Sequence, residues 1–82
     1  DNFNVYPNPN RGVFNISFVS EKLDNIELII SDDFGKIINI EKKQSFIGEY
    51  TKKINLSAYP KGIYIVQIKT NDSFVSKRVV VQ

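Results

Sequence analysis

The chain has 82 residues and a formal net charge of +2, and its sequence contains no cysteine, histidine or methionine. With 41% apolar and 24% charged residues, it has the composition of one small folded domain rather than of a disordered chain. These features exclude disulfides, thiolate metal sites and histidine-dependent catalysis, and a charge of +2 does not indicate a nucleic-acid partner.

The first element is the segment YPNPNRG at positions 6–12, which contains two prolines and ends in a glycine. Proline fixes φ and biases the residue before it away from helix, which applies here at Pro7 and Pro9. Gly12 can adopt a positive φ and so lets the chain reverse before the next strand. We therefore predict a rigid corner between the first two strands, rather than a flexible linker or a ligand-binding loop.

Period-two alternation dominates the rest of the chain. Phe14, Ile16 and Phe18 alternate with less apolar residues, and Ile26–Ile30 repeats the pattern. Further β-rich runs follow at positions 36–41, 46–56, 63–69 and 74–81. The turn-forming segments are PNPNRG, SEKLDN, SDDFGK, QSFIGE, SAYPKG and TNDS. The pattern predicts an all-β fold without helix, namely a small immunoglobulin-like antiparallel β-sandwich of about seven strands.

Carboxylates offer two kinds of candidate site. Asp32 and Asp33 could in principle act as an acid–base pair. Adjacent residues at a strand end point to opposite sides, however, and Asp before Phe-Gly is typical of a turn. The same two residues, with Asn71 and Asp72, supply oxygen donors for calcium, but their spacing does not match an EF-hand loop. We therefore predict no catalytic residue, no metal and no cofactor.

Aromatic and basic side chains suggest binding surfaces instead. The tyrosines are Tyr6, Tyr50, Tyr59 and Tyr64, and exposed tyrosines can stack on sugars. Tyr6 and Tyr59 directly precede prolines in turns, and Tyr64 lies on an apolar run, so packing explains most of them. The pair Lys77–Arg78 is either part of a solvated face or a handle by which the terminal strand binds a partner.

The landmarks in chain order are YPNPNRG, the strand pattern F-x-I-x-F, then SDDFGK, INLSAYPKGIYIVQI and SKRVVVQ. This series closely resembles the type A C-terminal sorting domain of the type IX (Por) secretion system of Bacteroidota. The resemblance covers essentially the whole chain. The positions that match the family's structural motifs are Tyr6, Pro7, Asn8, Pro9, Gly12, Asp32, Gly35, Lys36, Leu56, Ser57, Pro60, Gly62 and Tyr64.

The resemblance implies a cargo-sorting domain rather than a catalyst. Family members lie at the end of secreted enzymes, adhesins and surface proteins, which cross the inner membrane, fold in the periplasm and reach the cell surface or the medium. The expected partners are the outer-membrane translocon and its shuttle proteins, a sortase-like surface peptidase that removes the domain, and the upstream cargo domain. Nucleic-acid binding and direct membrane insertion are not expected.

In the family the recognition signal lies at the extreme C-terminus. Here that signal transfers onto Lys77, Arg78, Val79, Val80, Val81 and Gln82. The terminal motif departs from the family pattern in having Arg78 after Lys77 and in ending on neutral Gln82, where a lysine is frequent.

The chain begins at Asp1 and lacks methionine, so we expect residues 1–82 to be a single C-terminal sorting domain excised from a larger precursor. Two other functions stay open at this point. A carbohydrate-binding or fibronectin-like accessory module of an extracellular enzyme would bind polysaccharide through an exposed tyrosine. A structural spacer or adhesive module would leave export independent of this domain.

Overall fold

A computed structural model describes residues 3–82, which form strands and turns without a helix. It therefore contains no helix long and apolar enough to cross a membrane in the described part of the chain. The strands are β1 (Phe3–Tyr6), β2 (Val13–Asp32), β3 (Ile37–Asn55), β4 (Gly62–Lys69) and β5 (Phe74–Val81). The expectation of an all-β, antiparallel fold is confirmed.

The long strand β2 is the axis of the sheet. Its first half, Val13–Ser20, pairs with β1 on one side and with the second half of β3 on the other. Its second half, Asp24–Asp32, pairs with the first half of β3 and with β4. β5 then pairs with β4, and every one of these strand pairs is antiparallel. Each half of β2 is thus the centre of its own group of strands.

The expected number of about seven strands is wrong, because residues 3–82 form five. The segments SEKLDN and QSFIGE were predicted as turns, but both lie inside strands. The pairing of β2 with β3 shifts register between Ser20 and Asp24 and again between Asp24 and Ile26. Such bulges bend a strand without ending it, so two pairs of predicted short strands are two long, bent ones. The Ser45 N–H donates to the Asn25 side chain at 3.0 Å across this bend.

The core lies between the inner faces of the two halves. Even-numbered residues of β2 point inward on both sides of the bend, as the sequence alternation predicts. On β4, alternate residues from Tyr64 to Ile68 are buried, while Ile63 and Ile65 are half-buried on the outer face. One hydrophobic cluster joins all five strands: Phe3, Phe14, Ile16, Phe18, Ile26, Leu28, Ile30, Tyr50, Ile54, Leu56, Tyr64, Val66, Ile68, Val79 and Val81. The bent sheet is therefore sandwich-like, with its two layers sharing one core.

A polar cluster on β3 connects the two halves of that strand. The Tyr50 hydroxyl, on the second half, donates to the Glu41 carboxylate on the first half. Lys52 Nζ lies 3.1 Å from the same carboxylate. The Tyr50 hydrogen bond, with the Lys52 ammonium, lowers the pKa of Glu41 below its usual 4.5, while burial and the Glu41 contact raise the pKa of Tyr50. Glu41 is thus held in its charged form at the bend.

Candidate functional site at the terminal strand

The terminal strand β5 contains five of the six residues predicted to carry the recognition signal. It pairs only with β4 among the described strands, with Val81 opposite Gly62 and Phe74 opposite Lys69. The side chains of Val79 and Val81 lie in the core, at 0% and 4% exposure. Because neither is available for direct contact, their role in the fold is to anchor the strand.

The other predicted signal residues are accessible. Lys77, Arg78 and Gln82 are exposed and Val80 is half-buried. Their backbone alternation places Lys77 on the inner side of the strand, opposite Val66, and Arg78 on the outer face. The structure therefore divides the predicted six-residue signal into buried anchors and exposed polar groups.

Lys77 reaches across the rim of the core to the first strand. Its Nζ lies 5.9 Å from the centroid of the Phe3 ring, within the range of a cation–π contact. Phe3 in turn meets Phe18 edge-on, with ring centroids 6.5 Å apart. The ammonium group therefore helps to hold β5 against the other layer of the sandwich.

The charges of Lys77 and Arg78 are not neutralised by the ion pairs found within residues 3–82. Those pairs join Lys22 to Asp72, Lys42 to Glu27 and Lys52 to Glu41. No Asp or Glu occurs between positions 73 and 82. The side chains of Lys77 and Arg78 thus form a small basic surface on an edge strand.

The predicted corner YPNPNRG also lies against β5. Asn8 acts through both ends of its side-chain amide: Nδ2 donates to the Arg78 carbonyl at 2.8 Å, and Oδ1 accepts the Val80 N–H at 2.9 Å. Asn10 continues this pairing through its backbone, because its N–H donates to the Val80 carbonyl at 2.9 Å and its carbonyl accepts the Gln82 N–H at 2.7 Å. We call Asn8–Asn10 the strap, because it covers the outer edge of β5 like a short additional strand.

Local hydrogen bonds shape the strap. The Asn10 side chain donates to the Pro7 carbonyl at 2.9 Å and accepts the Gly12 N–H at 2.8 Å. The peptide bonds before Pro7 and Pro9 are both cis. The segment forms the corner between β1 and β2, as predicted, but the sequence does not predict its contact with a strand some 70 residues away. Asparagine and proline in a turn segment indicate a turn, but they do not indicate which distant strand the turn contacts.

The remaining family-motif residues hold two turns at the end of the sheet where β5 ends. In the turn after β2, the Asp32 carboxylate accepts the N–H groups of Phe34 and Lys36, each at 2.9 Å, and its carbonyl accepts the Gly35 N–H at 3.1 Å. Asp32 is therefore a turn residue rather than one of an acid–base pair. Asn71 and Asp72 lie in the turn between β4 and β5, at the other end of β4, so the four suggested calcium donors do not converge.

The turn before β4 connects to the corner. The Leu56 N–H donates to the Gly12 carbonyl at 2.6 Å, and the Ser57 backbone lies directly against Gly12. The Tyr64 hydroxyl donates to the Pro60 carbonyl, which ties the turn to the strand it precedes. These motif residues support the site structurally.

Two aromatic side chains are exposed beside these turns. Phe34 is 96% exposed and Tyr59 44% exposed, and both line a groove of about 350 Å³ between the two turns. Tyr50 and Tyr64 are buried, so only Tyr6 and Tyr59 among the tyrosines could meet a ligand. Nothing in the turn segment SDDFGK predicts that the Phe34 side chain projects into solvent.

The sequence was compared with models of known protein families. The family model described as "Secretion system C-terminal sorting domain" matches residues 4–82. The chain belongs to this family. A search of curated proteins found no match. The sorting domain is the C-terminal signal for type IX secretion, so it directs export to the cell surface or the medium and interacts with the secretion machinery.

Proposed function

We propose that the secretion machinery recognises this sorting domain at the end of β5, through the exposed groups of Lys77, Arg78 and Gln82. The observation that carries the proposal is the division of the terminal strand. Val79 and Val81 hold the backbone in the core, while the two basic side chains are exposed and no Asp or Glu side chain occurs between positions 73 and 82. A rigid edge strand with unpaired charges suits recognition by a complementary acidic surface.

The route and the specific partners form part of the same proposal. Residues 1–82 are one domain at the C-terminus of a larger precursor, with the cargo upstream. After passing through the periplasm, the domain meets the outer-membrane translocon and its shuttle proteins, and a sortase-like peptidase then removes it. The family membership supports this route, and a single core shared by all five strands suits a tag that folds independently of its cargo. The domain itself contributes binding rather than catalysis.

The test is export of a reporter. A signal peptide, a fluorescent protein and this domain are fused and expressed in a bacterium with a type IX system, and fluorescence is measured in cells and medium. Lys77→Gln/Arg78→Gln removes both exposed charges and leaves the core valines Val79 and Val81 in place. Because it also removes the Lys77–Phe3 contact, urea unfolding of this variant is compared with that of the wild type. Lys42→Gln/Lys43→Gln on β3 is the matched control, because it removes the same charge from another exposed pair.

We expect the first variant to accumulate inside the cell and the control to be exported like the wild type. Substitution is sharper than truncation, because deleting residues 77–82 also removes two core valines, each worth about 1.5–3 kcal/mol of burial. Normal export of Lys77→Gln/Arg78→Gln would show that these charges are not the signal. Normal export of a fusion lacking the whole domain would instead support a spacer.

A further inference from the structure

The outer edge of β5 has two parts that differ in their hydrogen bonding. The strap occupies the Arg78 carbonyl, both backbone groups of Val80 and the Gln82 N–H. Alternate residues of a strand direct their backbone groups to the same edge. Phe74 and Ser76 therefore present their N–H and carbonyl groups on this edge, as Arg78 presents its N–H.

These N–H and carbonyl groups of Phe74 and Ser76, and the Arg78 N–H, have no hydrogen-bond partner among residues 3–82. They form a continuous row of three donors and two acceptors, which is the surface to which another strand can add. We call Phe74–Arg78 the open edge. The strap and the open edge meet at Arg78. A strand added along Phe74–Arg78 would therefore lie end to end with the strap on the same edge of β5.

The other edges of the sheet are less suited to this addition. β1 has only four residues, and β3 is bent and bulged where it pairs with β2. Short length and bulges are features by which edge strands avoid pairing. The open edge of β5 contains no bulge in its pairing with β4, since the register runs without a shift from Phe74 to Val81.

The side chains of the open edge indicate the chemistry of the added strand. Lys77 and Arg78 are exposed on opposite faces of β5, and Phe74 is 59% exposed at its start. A strand laid along this edge would place its own residues beside a cation on each face. Oppositely charged neighbours on adjacent strands stabilise pairing and like charges oppose it. The edge therefore favours an acidic strand.

We propose that Phe74–Arg78 is a docking edge onto which the secretion machinery adds an extended, acidic β-strand, while the strap closes the rest of β5. This inference rests on the proposed function, since it specifies how the secretion machinery recognises the terminal strand. It places part of the recognition surface upstream of the last six residues.

The decisive variant is Ser76→Pro in the export reporter. The Ser76 N–H points outward and takes no part in pairing with β4, so proline removes a docking donor at a position that edge strands tolerate. Ser76→Thr is the matched control, because it keeps the N–H and suits a strand. We expect Ser76→Pro to lower export about tenfold, which corresponds to about 1.4 kcal/mol of lost binding, and Ser76→Thr to be exported normally.

Charge is tested at Arg78 with Arg78→Glu and Arg78→Lys. An acidic partner strand predicts that glutamate blocks export and that lysine preserves most of it. Normal export of Ser76→Pro, with Lys77→Gln/Arg78→Gln still blocked, would overturn the docking edge and leave the proposed function intact. Normal export of both would refute the proposed function itself.

A binding measurement on the isolated domain covers the case in which Ser76→Pro fails to fold. Amide hydrogen exchange should be fast at Phe74, Ser76 and Arg78 and slow at Val80 and Gln82. A capped eight-residue peptide of alternating Glu and Val should slow exchange at the first three, whereas alternating Lys and Val should not. Equal protection by both peptides, or by neither, contradicts the proposal. So does a wild-type dimer that Ser76→Pro converts to monomer, because a second copy would then be the occupant.

Discussion

Gly12 lies where the strap, the turn before β4 and the start of β2 meet. A Cβ atom added to it would lie 2.8 Å from the Ser57 Cα and 2.9 Å from the Ser57 nitrogen. These are backbone atoms, so they cannot rotate away as a side chain could. Gly35 provides a matched comparison, since it also has a positive φ, +90° against +115°, but a Cβ there would have no neighbour within 4 Å. We therefore compare Gly12→Ala with Gly35→Ala.

The two substitutions share one cost and differ in another. A positive φ costs an alanine about 1–2 kcal/mol at either site. At Gly12 the backbone must also move away from Ser57, which disrupts the Gly12–Leu56 bond of 2.6 Å and the Gly12–Asn10 bond of 2.8 Å. Each of these contributes about 0.5–1.5 kcal/mol. We expect Gly12→Ala to lower the free energy of unfolding by about 2–5 kcal/mol, against about 1–2 kcal/mol for Gly35→Ala.

The assay is thermal and urea unfolding of the isolated domain, followed by circular dichroism. For a domain of this size, 1 kcal/mol changes Tm by about 4–8 °C, so Gly12→Ala should melt about 5–20 °C below Gly35→Ala. Equal destabilisation by the two substitutions would refute the argument. It would mean that the close approach to Ser57 is relieved at no cost and that only the backbone angle matters.

Three further predictions concern single contacts. Asn8→Ala removes both side-chain bonds to β5, so we expect it to cost about 1–3 kcal/mol in urea unfolding and to speed hydrogen exchange at the Val80 amide. Val79→Ala should cost about 2–3 kcal/mol because Val79 is fully buried, whereas Val80→Ala should cost less than about 1 kcal/mol. The folded-state pKa of Glu41 lies below its usual 4.5, so its contribution is present above that pH and is lost as the pH falls through the lowered value. The destabilisation caused by Tyr50→Phe, measured by thermal unfolding from about pH 7 to about pH 3, should therefore shrink in acid.

The sequence predicted the parts of this fold that depend on neighbouring residues. Alternation of Phe14, Ile16 and Phe18 identifies a buried face, because side chains of a strand point alternately to its two sides. Four of the six predicted turns separate strands as expected, and each combines Gly, Pro, Asn or Asp in a short segment. The family motifs likewise depend on local order, which is why the resemblance correctly identified the family.

The sequence could not distinguish a bulge from a turn. The segment around Asp24 contains charged and polar residues that also occur in turns, so the alternation on either side of it predicts two strands. In the fold, the Asp24 carboxylate is buried and accepts the N–H groups of Asn25 and Asn71 at 2.8 and 3.0 Å. These bonds satisfy the backbone where the ladder shifts, one of them from a residue 47 positions away. Only the tertiary partner reveals that the strand continues.

The strap joins the N-terminal part of the sorting domain to its terminal strand, because Asn8 and Asn10 hydrogen-bond to the backbone of β5 and Gln82. Without Asn8 and Asn10, four backbone groups from Arg78 to Gln82 would lie open on the same edge as Phe74–Arg78. An edge that long could pair with any extended chain, including another copy of the domain, since unpaired strand edges lead to aggregation. A strap that covers the end and leaves a short basic stretch open limits both the length and the charge of what can bind. The opening motif and the terminal strand should therefore be altered together when the signal is dissected, because a substitution in either changes what the other presents.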